Sequence, residues 1–136
     1  MDTLVENFIA NWRDAVEGKN VEKIFPLLSN EMTFYSPVLF KPSTDRAYID
    51  AVLRFVDETL SDFEYIDIYG QAQGAAMMFR AKVGDLTVEG VDFFKLDDEG
   101  KVTELKVMLR PLNATMILGQ AMKDHFAAMT PSQGAS

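Results

Sequence analysis

The sequence contains no cysteine, which excludes disulfides, thiolate metal sites and cysteine nucleophiles. It contains one histidine, His125, and a single histidine makes no metal site without carboxylates at ligand spacing. We therefore expect a protein that uses neither a metal ion nor an organic cofactor. No apolar run approaches the roughly 18 residues that cross a bilayer, so we also expect no membrane partner.

Basic residues are fewer than acidic ones, with 13 lysines and arginines against 21 aspartates and glutamates. The net charge of -8 repels phosphate backbones, which argues against nucleic acid as a partner. The first residues, MDTLVENFIANW, carry acids where a signal peptide carries bases. Together these features predict a cytoplasmic protein.

The 136 residues fit one domain with one core, which we place at 1–129, followed by a flexible tail at 130–136. Apolar periodicity predicts helices over Leu4–Val16, Val21–Leu28, Tyr48–Leu60 and Leu112–Met129. It also predicts a short strand at Met32–Tyr35 and longer strands at Phe63–Gln71, Ala75–Val83, Leu86–Leu96 and Lys101–Arg110. The second helix contains Pro26, which an α-helix tolerates only in its first turn or at a kink.

The longer strands are separated by short turns that contain Gly74, Gly84 and Gly100. Turns this short join antiparallel hairpins. We therefore predict an α+β fold in which a curved antiparallel sheet packs on three N-terminal helices and is followed by a C-terminal helix. A coiled sheet with helices on one face can enclose a cavity.

The strands carry apolar residues on both faces. Val91 and Phe93 have the opposite parity to Val88 on their strand, and Met108 alternates with Val107 on the next. One face must pack on the helices, and the other would be exposed in a monomer. This pattern predicts a homodimer formed through the outer face of the sheet.

Two segments carry a family resemblance. Residues Trp12 to Val38 read WRDAVEGKNVEKIFPLLSNEMTFYSPV, with a polar residue placed just before Pro-Val. Residues Gly90 to Asn113 read GVDFFKLDDEGKVTELKVMLRPLN and contain an acid-x-x-Gly-Lys-hydrophobic hairpin. In these residues the chain resembles the SnoaL-like, ketosteroid isomerase-like members of the nuclear transport factor 2-like superfamily. The resemblance implies a cystatin-like cone fold with a mainly apolar pocket.

The resemblance also implies roles for three positions. The isomerases use a carboxylate before Pro-Val as general base, and Ser36 stands there, which cannot shuttle a proton near neutrality without a partner base. Their first-helix tyrosine corresponds to Trp12, whose indole N–H can donate but cannot exchange a proton. Their protonated aspartate corresponds to Asp92, which is retained. We therefore expect isomerase- or cyclase-type acid–base chemistry at Asp92, without the steroid isomerisation of the family.

Period-2 counting places Asp92 on the strand face that also holds Gly90 and Phe94. If this face turns inward, desolvation raises the pKa of the carboxyl group. We expect the pocket to bind a small, mainly hydrophobic molecule. Its predicted lining is Trp12, Tyr35, Ser36, Phe79, Asp92, Phe94, Val107 and Leu109.

Two alternatives remain open. The serine at position 36 favours a non-catalytic ligand-binding or dimeric interaction module over an enzyme. A limonene epoxide hydrolase-like hydrolase would instead need an aspartate–arginine–aspartate set, for which the chain offers Asp67, Arg80 and Asp92. Asp67 lies in a Tyr-x-Asp-x-Tyr pattern that would place all three side chains on one strand face, so Asp67 is a second catalytic candidate.

Other polar residues are better explained by structure. Glu89 has the opposite parity to Asp92 and should face the outside of the sheet. Pro111 should end the last strand and begin the last helix, with Arg110 paired to a nearby acid. His125 lies near the end of that helix, where its charge would favour the helix dipole.

Overall fold

The computed structural model describes residues 2–129, so the predicted tail at 130–136 lies outside the described residues. In chain order the elements are α1 (Thr3–Glu17), two 3-10 turns (Val21–Lys23 and Phe25–Leu27), β1 (Leu28–Tyr35), α2 (Arg46–Thr59), β2 (Ser61–Gln71), β3 (Gly74–Val83), β4 (Leu86–Leu96), β5 (Val102–Arg110) and α3 (Leu112–Met129). This order confirms the predicted α+β class. None of the helices between residues 2 and 129 is both long and apolar enough to cross a bilayer.

The two long N-terminal helices begin at side-chain caps. The carboxylate of Asp2 accepts a hydrogen bond from the backbone N–H of Leu4, and that of Asp45 accepts from Ala47 and Tyr48. Each cap satisfies N–H groups that have no partner within their helix. The apolar stripe of α1 then turns into the core, where Trp12 is almost fully buried.

The predicted second helix is wrong in type, because residues 21–27 form two short 3-10 turns. Pro26 explains the interruption, since it has no N–H to donate to a carbonyl one α-turn earlier. The chain is therefore free to become extended at Leu28, and β1 begins four residues before the predicted strand at Met32.

The sheet has five strands in the order β1-β5-β4-β3-β2. Strands β2 to β5 form the predicted antiparallel meander, while β1 joins it in parallel beside β5, with Tyr35 opposite Lys106. The inner face of β4 alternates strictly into the core, and Val88, Asp92 and Phe94 are all buried there. Helices α1, α2 and α3 cover this inner face.

The outer face of the sheet carries an apolar row in register across three strands, formed by Met78, Val91 and Met108. Met108 is 55% exposed, and the nearby Phe93 is 39% exposed. Ion pairs that join Glu89 to arginines on the flanking strands border this row. The outer face is thus an apolar stripe beside a charged row.

Candidate functional site

A cavity of about 100 Å³ lies between the inner face of the sheet and the helices. Most of its wall is aliphatic or aromatic, with residues contributed by α1, α2, β3, β5 and α3. The polar side chains on the wall belong to Trp12, Lys19, Ser36, Asp57, Tyr65 and Asp92. The Lys19 ammonium group donates to the carbonyls of Asp57 and Leu60, so it caps the C-terminal end of α2.

Asp92 supplies the buried carboxyl group of the cavity. It lies in the middle of β4, between Met77 on β3 and Val107 on β5, and is 8% exposed. Burial raises the pKa of Asp92 to about 7, and a hydrogen bond from Tyr65 partly opposes this rise. A carboxyl group with this pKa can gain or lose a proton near neutrality.

A chain of two hydrogen bonds ends on Asp92. The indole Nε1 of Trp12 donates to the Tyr65 hydroxyl oxygen at 2.8 Å, and that hydroxyl donates to Asp92 Oδ2 at 2.6 Å. The direction is forced, because an indole N–H can only donate and the single phenolic proton must then point at Asp92. No side chain among the described residues bonds to Oδ1, so a neutral Asp92 can carry its proton on Oδ1 and offer it to a ligand.

Tyr65 reaches this position because of a β-bulge. Tyr65 pairs with Phe79 and Asp67 pairs with Met78, so Ile66 is an extra residue on β2. Helix α1 contacts the distorted backbone through Glu17, which accepts from the Tyr65 N–H at 2.8 Å, and through Arg13, which donates to the Tyr65 carbonyl. Burial raises the pKa of Tyr65 well above its usual range, and the adjacent Asp92 raises it further.

Tyr65 is a site residue that strand periodicity does not reveal. Period-2 counting grouped it with Asp67, and the bulge that separates the two residues has no signature in this segment. One signal was present: a buried tryptophan N–H needs an acceptor, and a tyrosine hydroxyl supplies one.

Six of the eight predicted lining residues do contact the cavity, and they are Trp12, Ser36, Phe79, Asp92, Val107 and Leu109. Tyr35 and Phe94 do not line the cavity, which corrects the prediction. Phe34 takes the inward position beside Tyr35, and the Tyr35 ring lies under the Lys106 ammonium group. Phe94 faces inward but lies outside the cavity wall. Its ring packs edge-on against Phe8 and Trp12, so it supports the cavity wall from behind.

The aspartate–arginine–aspartate set is not assembled. The bulge at Ile66 turns Asp67 to the outer face, where it accepts a hydrogen bond from Tyr69. Arg80 is exposed and pairs with Glu89. Neither residue lines the cavity with Asp92, so the set that the epoxide hydrolase-like alternative needs is absent there, and the expected inward placement of Asp67 as a catalytic residue is corrected.

The remaining candidates have structural surroundings. Glu89 lies on the outer face between Arg80 and Arg110, and these two arginines lower its pKa. The ring of His125 packs against Phe55. Within residues 2–129, no group of histidine and acidic side chains could hold a metal ion.

Two glycines set the space around the cavity. A Cβ at Gly90 would lie 2.5 Å from Phe79 Cζ and 2.6 Å from Leu109 Cδ2, so the bare backbone makes room for these lining side chains. A Cβ at Gly119 would lie 3.0 Å from Val38 Cγ1, so α3 crosses close to the segment after β1.

A curved sheet that packs on helices around an apolar cavity with one buried carboxyl group defines a cone-shaped α+β fold. A bacterial protein with a cystatin-like fold from Silicibacter pomeroyi DSS-3 is 31% identical, with a TM-score of 0.83 over 93% of this chain and 88% of that one. A steroid delta-isomerase from Pseudomonas aeruginosa is 24% identical, with a TM-score of 0.87 over 95% of this chain and 96% of that one. A SnoaL-like polyketide cyclase candidate from Shewanella denitrificans OS-217 is 13% identical, with a TM-score of 0.64 over 88% and 99%.

No family model matches the chain, and no curated protein matches it in sequence. The chain belongs with the bacterial cystatin-like-fold proteins represented by its 31% identical relative. Its fold is the one seen in solved steroid delta-isomerase, SnoaL-like and nuclear transport factor 2-like proteins, in agreement with the two segments singled out in the sequence.

Proposed function

We propose that the protein binds a small, mainly apolar molecule that bears a carbonyl group, with the carbonyl oxygen at Asp92. The hydrogen-bond chain from Trp12 through Tyr65 to Asp92 carries this proposal. It commits Oδ2 to Tyr65 and leaves Oδ1 free to carry the proton of neutral Asp92 toward the ligand. A ligand carbonyl accepts that proton in a hydrogen bond, in an environment where water does not compete.

The cavity volume limits the ligand. A cavity of about 100 Å³ is smaller than the dry cavities of roughly 150 Å³ that hold benzene, so the ligand is limited to at most one small ring. The apolar wall favours the carbon skeleton, and the polar end orients it.

Asp92 supplies half of an isomerase- or cyclase-type reaction, since a hydrogen bond to a carbonyl oxygen stabilises the negative charge of an enolate. The other half is a base, and Ser36 occupies the family's base position. This observation favours a second candidate function, a ligand-binding module that performs no chemistry. In both cases the carbonyl group lies at Asp92.

The matched ligands cyclohexanone and methylenecyclohexane test the proposal, because they differ only in C=O against C=CH2. The measured quantity is the ratio of the cyclohexanone affinity to the methylenecyclohexane affinity, obtained by ligand-observed NMR at pH 5.5. We expect this ratio to be roughly 3- to 10-fold higher in the wild type than in Asp92→Leu, which is the net value of a neutral hydrogen bond. Asp98→Asn removes an exposed acid and should leave the ratio unchanged. Equal ratios in the wild type and in Asp92→Leu would contradict the proposal.

We also propose that two copies associate through the outer apolar row of Met78, Val91 and Met108. The row spans three strands, and its exposure in one chain supports a covering partner. A sheet face of this kind is self-complementary when a two-fold axis passes through it.

A further inference from the structure

Ser36 follows the last residue of β1 and lines the cavity. Tyr35 lies opposite Lys106 on β5, and continuing this parallel register by one residue beyond the end of β1 brings Ser36 level with Val107. Val107 in turn lies opposite Asp92 on β4. Ser36 and Asp92 therefore flank Val107, and all three line the cavity.

The Ser36 hydroxyl oxygen accepts two backbone hydrogen bonds, from the N–H of Val38 at 3.1 Å and from that of Leu39 at 3.3 Å. A hydroxyl group has two acceptor lone pairs and one proton. With both lone pairs engaged, only the proton remains for a further bond. Among residues 2–129, no side chain or carbonyl accepts this proton. Ser36 can therefore donate to a molecule in the cavity, and it has no lone pair left to accept from one.

We infer that the cavity selects a ligand with two hydrogen-bond acceptors, one bound by Asp92 and the other by the Ser36 hydroxyl. The inference rests on the proposed function, because it assumes that the first acceptor is a carbonyl at Asp92. In this arrangement Ser36 acts as a second hydrogen-bond donor at the position where the isomerases have their general base. The ligand class is a small dicarbonyl compound, such as a diketone, a keto ester or a keto lactone.

The strand spacing limits how a ligand could reach both groups. Two adjacent strand steps of about 4.8 Å place the backbones of Ser36 and Asp92 roughly 10 Å apart across Val107. Both residues line the cavity from these positions, so a ligand that reaches both carries its two acceptors at opposite ends of a small skeleton. One six-membered ring with carbonyl groups on opposite sides meets this requirement.

The test compares 1,4-cyclohexanedione with cyclohexanone, and the measured quantity is the ratio of their two affinities by NMR titration at pH 5.5. Comparing this ratio between variants cancels the hydration free energies of the two ligands, because the free ligands are the same in every titration. We expect Ser36→Ala to lower the dione-to-ketone ratio by roughly 3- to 10-fold relative to the wild type. Ser36→Thr keeps the hydroxyl group and should retain the ratio. Ser43→Ala is the matched control, because Ser43 also accepts a backbone N–H through its hydroxyl but lies outside the cavity wall.

A dione-to-ketone ratio that Ser36→Ala leaves unchanged overturns the inference. If both affinities also stay constant, Ser36 does not contact the ligand. If both affinities fall equally, the serine acts only through the loop it shapes. If the wild type binds neither ketone more tightly than methylenecyclohexane, the proposed function fails and the inference fails with it. If the preference for cyclohexanone holds while the dione ratio stays constant, only the inference fails.

Discussion

Replacing Asp92 with asparagine should change how the stability of the protein depends on pH. Asparagine resembles the neutral acid, since its carbonyl oxygen can still accept from Tyr65. It cannot ionise, so it never carries the cost of a buried charge. The wild type carries that cost at every pH where its carboxyl group is ionised.

The sign follows from the two pKa values. Asp92 has a pKa of about 7 in the folded protein and an ordinary value of 3.8. Between these values the folded chain holds a proton that the unfolded chain has released, so the free energy of unfolding falls as pH rises. The loss begins near pH 4 and is complete slightly above pH 7.

The magnitude follows from the same values. A gap of about three pKa units corresponds to about 4 kcal/mol for the full loss. Between pH 5 and pH 9 the stability of Asp92→Asn relative to the wild type should therefore rise by about 3 kcal/mol, mostly below pH 7. With an m-value of about 2 kcal/mol/M, the urea midpoints separate by about 1.5 M over this range.

The assay is urea unfolding of the wild type, Asp92→Asn and the exposed-site control Asp98→Asn at pH 5, 6, 7, 8 and 9. One protein concentration is used throughout, because association would make the midpoints depend on concentration. The control should track the wild type. Parallel curves for the wild type and Asp92→Asn would refute the reasoning, since they would show that Asp92 ionises without a burial cost.

Three further predictions follow from the same structure. Gly90→Ala should destabilise the fold by about 1–3 kcal/mol in thermal unfolding, because the new methyl group meets Phe79 and backbone; an unchanged or higher Tm would contradict this. In sedimentation equilibrium, Met108→Lys should have the 15.3 kDa mass of one chain, whereas the wild type and the control Thr87→Lys should have twice that mass. A monomeric wild type at micromolar concentration would refute the dimer. The wild type should not isomerise a 5-ene-3-ketosteroid above the buffer rate, because Ser36 replaces the carboxylate base, and clear turnover would reveal a base elsewhere.

Much of the fold could be predicted because its determinants are local. The spacing of apolar residues defines α1 and α2, Asp45 caps α2, and the short glycine turns specify the hairpins of the meander. The parallel pairing of β1 with β5 could not be predicted, since it joins segments far apart in sequence. Propensity also overestimated the second helix, where Pro26 permits only 3-10 turns.

The candidate site could be predicted only where strand alternation is regular. In β4 the alternation continues without a break, and the structure places Asp92 on the inner face as counting suggests. In β2 one bulged residue reverses the parity, which brings Tyr65 inward and turns Asp67 outward. Phe94 faces inward as predicted but packs behind Trp12. Strand alternation indicates which face of the sheet a side chain occupies, and it does not indicate whether another side chain separates it from the cavity.

The most direct test is a carbon-13 NMR titration of the Asp92 carboxyl group, with and without saturating cyclohexanone and with exposed Asp98 as an internal reference. The account predicts a midpoint near pH 7 for the free protein. It predicts a higher midpoint with the ketone bound, by roughly one pH unit for a tenfold preference for the protonated form. A midpoint near the ordinary value of 3.8, or one that the ketone leaves in place or lowers, would contradict a carbonyl-binding role for Asp92.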